Sequence, residues 1–226
     1  MSSVTAVIAA AGSGERLGAG GPKAFVPLAG RPLVEWAIAA FREVEGVRSI
    51  VVACPPGHVH ELGGHDLGVV DGGATRSQSV ANALAAVGTG LVAIHDAARP
   101  LVTPALIEDV FATLVGDPAA AGAIAATPIT DTIKRVADGV VETTVDRGRL
   151  WAAQTPQVFR TETLREALAT YPGGAPAATD EAMLVEAIGG RVLIHASSSE
   201  NLKVTTPFDL SLAELLLSEQ HPDQGR

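Results

Sequence analysis

One stretch limits what this chain can fold into more than any other: AAAGSGERLGAGGPKAF, from Ala9 to Phe25. It follows an apolar run, Val4–Ala10, that reads as a buried strand. Beyond the strand come Gly12, Gly14, Gly18, Gly20 and Gly21, with Arg16 and Lys23 set among them. A loop without side chains lets successive backbone N–H groups turn toward one point and form an anion-binding nest. Two cations on the same loop add the charge a triphosphate needs, so the stretch reads as a phosphate cradle rather than a plain surface loop. It is neither of the two commonest glycine-rich patterns. A dinucleotide fingerprint wants Gly-x-Gly-x-x-Gly and an acidic residue closing the second strand. Here Gly12, Gly14 and Gly18 are spaced too widely, and the second strand runs into Cys54-Pro55-Pro56. A P-loop wants Gly-Lys followed by Ser or Thr, whereas Lys23 lies between Pro22 and Ala24.

Strand and helix signals then alternate, which predicts an α/β fold with a mostly parallel central sheet flanked by helices. Leu33, Trp36, Ala37, Ala40, Phe41 and Val44 keep helical spacing after Pro32, and Ser49–Ala53 reads as the second strand. His58, His60 and His65 recur without acidic or thiol partners and read as solvated loop residues. A short strand, Leu67–Val70, leads through Asp71-Gly72-Gly73-Ala74-Thr75 into a helix over 77–87, where Thr75 or Ser77 can cap and Ser79 can meet a base edge. Strand Leu91–His95 delivers Asp96 to its carboxyl end, where parallel sheets bind ligands. Asp96 there suits a magnesium ion or a ribose hydroxyl, or a loop-tying pair with Arg99. Thr103 and Pro104 open a helix ending near Val115, and Gly122–Ala126 is a fully apolar strand.

The alternation breaks at Asp131–Val136 and Val140–Val145, two runs around Ala137-Asp138-Gly139 that predict a β-hairpin. Residues 131–149 therefore read as an arm projecting from a single domain spanning 1–226. Its valines have little nearby sequence to cover them, so a second subunit is the expected partner. Leu150–Phe159 returns to the main body. Helices are predicted over 161–171, 180–188 and 209–217, a late strand over 191–196, and frayed polar residues from Ser218 onward.

Composition narrows the function. The chain carries 16 Lys and Arg against 25 Asp and Glu, a net charge of −9, which argues against nucleic acid or an anionic membrane as partner. One cysteine, Cys54, excludes an internal disulfide and a thiolate zinc cluster. Without a signal segment or an apolar span, a cytoplasmic location is the expectation. Cations are scarce, so Arg16, Lys23 and Lys203, with Arg99 and Arg147, stand out at loop and strand ends. A cation cluster with a single aspartate suits phosphoryl or nucleotidyl transfer, where catalysis holds two anions in line and neutralises charge at phosphorus.

Taken together, AAAGSGERLG with PKAF, DGGATRSQS, HDAARP, DTIKR, TVDRGRLWAAQTPQVF, TDEA and NLKVT span Ala9 to Thr205. In that order they resemble the 2-C-methyl-D-erythritol 4-phosphate cytidylyltransferases of non-mevalonate isoprenoid synthesis. The resemblance implies a Rossmann-like nucleotide-diphosphosugar-transferase fold, CTP and magnesium, and a homodimer with crossed arms. It implies that Arg16 and Lys23 stabilise the transition state at the α-phosphate, and that Arg147 and Lys203 position the methylerythritol phosphate. Ala10, Ala11, Gly12, Gly14, Gly73 and Ser79 match positions around the nucleotide. Asp96, Arg99 and Thr132 match positions near the metal and the acceptor, with Thr132 and Arg147 serving the neighbouring subunit. The sequence departs from its relatives at Ala74, where an acidic residue is frequent. A cytidylyltransferase for ribitol 5-phosphate is the nearest rival. A CTP-sensing module without turnover is the rival from another class.

Overall fold

The computed structural model describes residues 3–12, 14, 17, 21–62, 67–171 and 179–220. Its frame is a seven-stranded sheet made by β1 (Val4–Ala9), β4 (Val47–Cys54), β5 (Leu67–Asp71), β6 (Leu91–Asp96), β7 (Gly122–Pro128), β10 (Trp151–Arg160) and β11 (Val192–Ala196). The spatial order is β11-β7-β10-β6-β1-β4-β5. β10 runs antiparallel to both neighbours, and the other pairings are parallel. Two small hairpins stand outside this sheet: β2 (Pro27–Leu28) with β3 (Arg31–Pro32), and β8 (Ile133–Ala137) with β9 (Val140–Val145).

The helices are α1 (Leu33–Arg42), α2 (Arg76–Leu84), α3 (Pro104–Val115), α4 (Thr161–Thr170), α5 (Glu181–Ala187) and α6 (Pro207–Gln220). Alternate residues of the strands feed opposite faces of the sheet. Ile50, Val52 and Cys54 pack with residues of α1 and α3, and Val51 and Ala53 pack with residues of α2, α4 and α5. Both faces are therefore covered, which is why these strands are continuous apolar runs rather than alternating ones. Each fully buried Val or Ile contributes about 1.5–3 kcal/mol over its exposed state. A third cluster joins Leu17, Val26, Leu28 and Leu33 to Ala213 and Leu217 of α6.

Several boundaries differ from the sequence reading. α1 does begin directly after Pro32, its N-cap, but α2 starts at Arg76 and ends at Leu84, short of Val87. β5 extends to Asp71, and α6 continues to Gln220, so Ser218–Gln220 are helical rather than frayed. The largest difference is Trp151–Arg160, a ten-residue strand inserted in the interior of the sheet between β7 and β6. Its pairing with β7 is interrupted between Ala153 and Gln157, around Pro156. His58 does have an acidic partner, with Nδ1 2.6 Å from Glu61 Oε1. His65 lies outside the described residues.

The hairpin of β8 and β9 forms as read. Asp138 and Gly139 take φ of 50° and 78°, the paired left-handed conformation of a two-residue hairpin turn. Val136, Val140 and Val141 are each more than half exposed on this arm.

Candidate active site

The carboxyl ends of β1 and β6 and the segment after β5 enclose a cleft of about 650 Å³, a size typical of small-molecule sites. Ala10, Ala11, Gly12 and Gly14 follow β1, Gly73 and Ser79 flank the start of α2, and Asp96 closes β6; Lys23 and Lys203 complete the wall. Residues from opposite ends of the chain thus share one cavity. Its described lining carries three cations, Lys23, Arg76 and Lys203, against one carboxylate, Asp96. Arg16, Gly18 and Gly20 lie outside the described residues.

The first loop is folded back on Lys23. Gly14 has φ +72°, and a Cβ placed on it would stand 2.7 Å from Lys23 Cβ, so only glycine fits this approach. The Lys23 N–H donates to Gly12 O at 3.3 Å, and Lys23 begins a single 3-10 turn, Lys23–Phe25.

At the second loop Thr75 caps α2, its hydroxyl accepting from Gln78 N–H at 3.1 Å. Ser79 is buried. Its Oγ accepts from Gly73 N–H at 3.0 Å and donates to Thr75 O at 2.9 Å. The hydroxyl that was read as a base contact therefore already shapes the turn, with one lone pair left for a ligand.

Asp96 does not pair with the Arg99 side chain, against one reading of the sequence. Its Oδ1 accepts from Arg76 Nε at 3.0 Å and its Oδ2 from Lys203 Nζ at 2.6 Å. Burial alone would raise its pKa, but the charges and hydrogen bonds of Arg76 and Lys203 override that and hold the carboxyl well below the usual carboxylate range. Arg99 is buried beside the cleft, donating to Asn201 O at 2.6 Å and Ala153 O at 3.5 Å, and tying the 201 segment to β10. Thr132 and Arg147 do not line the cleft of their own chain. Both are exposed at the foot of the arm, where Arg147 hydrogen-bonds Thr130 O.

Beneath Asp96 lies a buried relay whose proton positions follow from its partners. His95 Nε2 sits 3.1 Å from Arg99 O, which can only accept, so Nε2 carries the proton. Nδ1 then accepts from Thr155 Oγ1 at 3.0 Å, and Thr155 Oγ1 accepts from Asp96 N–H at 3.1 Å. Burial pushes the His95 pKa down to about 4. The unfolded chain protonates this ring near pH 6.5, and the folded chain does so only near pH 4, so the unfolded state binds more protons between these values. Stability falls as pH drops through that window, by about 3 kcal/mol from this ring. Burial pushes the Glu181 carboxyl upward, which opposes part of the fall. Urea unfolding at pH 7 and pH 4.5 should show a steeper loss for the parent than for His95→Gln; equal slopes would refute the assignment.

Arg76, Thr155 and Glu181 received no role from sequence alone. Arg76 left one signal: a cation at the first position of a helix opposes the helix dipole, so something else must hold it there. Glu181 left none, because an acidic residue in a first helical turn is ordinary.

Among the described residues, no cluster of three metal-ligating side chains and no helix long and apolar enough to cross a membrane is found. The family model for IspD, 2-C-methyl-D-erythritol 4-phosphate cytidylyltransferase, matches residues 4–219. A protein of Symbiobacterium thermophilum with that enzyme name is 44% identical over 228 residues, covering 96% of this chain and 94% of its own. Its namesake from Syntrophotalea carbinolica is 41% identical over 227 residues, covering 95% and 96%. The crystal structure of the Thermus thermophilus enzyme superposes with a TM-score of 0.79 at 36% identity, over 93% of this chain and 97% of the other.

Proposed function

Since the chain belongs to the 2-C-methyl-D-erythritol 4-phosphate cytidylyltransferase family, we propose that its cleft brings CTP and the acceptor phosphate together with the roles that follow. The reaction is CTP-dependent cytidylyl transfer to 2-C-methyl-D-erythritol 4-phosphate in isoprenoid biosynthesis. A phosphate oxygen of the acceptor attacks the α-phosphorus. The new P–O bond forms as the bond to the bridging oxygen breaks, and pyrophosphate leaves with that electron pair. The nucleophile is already ionised, so no side chain has to remove a proton. What must be overcome is repulsion, about 4 kcal/mol per pair of like charges at ~4 Å with an effective dielectric near 20.

Lys23, with Arg16, neutralises the charge that builds at the α-phosphorus and the departing group. Lys203, which Asp96 pairs in the cleft, holds the acceptor phosphate. Ala10, Ala11, Gly12, Gly14, Gly73 and Ser79 line the nucleotide side of the cleft. Arg99 orders the loop behind the acceptor. Thr132 and Arg147 of one subunit's arm reach the cleft of the other, in a homodimer joined through residues 131–149 of an otherwise single domain. The exposed valines of the arm support this pairing.

The donor set suits magnesium brought in on the triphosphate. Asp96 is the only carboxylate among the described lining residues, and magnesium is commonly held by one or two carboxylates with substrate phosphates. Asp96 would hold the ion, which when bound offsets phosphate charge. The cytoplasm is the proposed location.

The observation that carries this reading is the meeting of Lys23, Asp96 and Lys203 in one cleft at the carboxyl edge of the parallel strands. Pyrophosphate release with CTP should be fast with 2-C-methyl-D-erythritol 4-phosphate and slow with ribitol 5-phosphate. Faster release with ribitol 5-phosphate would reassign the acceptor, and none with either would favour the sensing module.

A further inference from the structure

Behind the cleft wall a fourth charge completes a chain of ion pairs. Glu181, the first residue of α5, is fully buried. Its Oε2 accepts from Arg76 Nη1, and Arg76 in turn donates through Nε to Asp96 Oδ1 at 3.0 Å. Asp96 Oδ2 meets Lys203 Nζ at 2.6 Å. Charges of alternating sign thus run from α5, through the start of α2 and the end of β6, to the lysine in the cleft. Glu181 Oε1 has no hydrogen-bond partner among the described residues.

Stability alone is a poor reason for this carboxylate. A buried ion pair seldom repays its desolvation, and replacing both partners by uncharged side chains of similar shape often serves a fold as well. A planar guanidinium held by two carboxylates, however, has little freedom to turn. With Glu181 anchoring one edge, Arg76 can offer Asp96 only its Nε face. That leaves Oδ2 as the oxygen presented to Lys203 and the cleft.

We infer that Glu181 is a positioning residue for the transfer reaction, acting through Arg76 to set the direction in which the Asp96 carboxylate faces. Without the charge on Glu181, Arg76 is released to take both oxygens of Asp96 or to swing toward the triphosphate. Either movement misaligns Asp96 and Lys203. This inference rests on the roles given above to those two residues.

Glu181→Gln keeps the shape and removes the charge. Its kcat should fall about tenfold or more, since small misplacements in a transfer site are costly. KM for CTP should change far less than kcat, and kcat is taken per folded protein, because removing one partner of a buried ion pair lowers the thermal midpoint. In an Arg76→Met background, Glu181→Gln should cost nothing further in kcat. Parent-like kcat in folded Glu181→Gln, independent losses in the two backgrounds, or a loss matching the drop in folded protein would each overturn the inference. If Glu181→Gln does not fold, Glu181→Asp replaces it, with kcat expected below the parent; parent-like kcat would overturn the inference. The parent enzyme in the same assay separates the two layers. An inactive parent refutes the site itself, whereas an active parent with an equally active Glu181→Gln refutes only this inference.

Discussion

Lys23→Ala is expected to lower kcat by about 10²–10³, the loss usual for one preorganised group facing transition-state charge, while the thermal midpoint stays close to the parent. The two effects separate for a structural reason. Gly14 backs onto the Cβ and backbone of Lys23, and alanine keeps both. The 3-10 turn and the bond from residue 23 N–H to Gly12 O depend on backbone alone. What is removed is the ammonium and its flexible stem, which line the cleft. Steady-state pyrophosphate release, with thermal unfolding measured on the same preparation, checks both halves. Turnover near that of the parent would show that the first loop does not serve the transition state.

The second large effect concerns the arm. In the proposed assembly, Lys23→Ala would disable the cleft of its own subunit, and Arg147→Ala the arm that subunit would lend to its partner. Each variant alone should be nearly inactive, the second chiefly through a raised KM for the acceptor. Random exchange of subunits makes half the dimers mixed. In every mixed dimer one site joins an intact cleft to an intact arm, so about a quarter of all sites should recover in a two-fold assembly. An arm that served its own chain would yield no recovery. Equal mixtures of the two variants, assayed after exchange, therefore test the dimer and the shared site in one measurement.

The sequence made the sheet legible wherever strands are buried on both faces. Val4–Ala9, Leu91–Asp96 and Gly122–Pro128 are apolar throughout most of their length, and their ends needed only a residue or two of adjustment. The helix opened by Thr103 and Pro104 was equally plain, since both the capping hydroxyl and the proline act locally. Trp151–Arg160 was not, because Gln154, Thr155, Pro156 and Gln157 interrupt its pattern, and proline within a run argues against a central strand. The bulge that accommodates it depends on its sheet neighbours, which no local pattern reports. In the cleft, Lys23, Asp96 and Lys203 were legible from motif position. The pairing of Asp96 with Arg76 rather than Arg99 was not. It depends on where α2 starts relative to β6, a distance of 20 residues along the chain but 3.0 Å in space.

Asp96 grips the Lys203 ammonium in the wall of the cleft. On the roles proposed above, an acceptor would have to outcompete that carboxylate. There a phosphate dianion would succeed where a dephosphorylated sugar alcohol would not. Under the same roles, charge would be tested before shape.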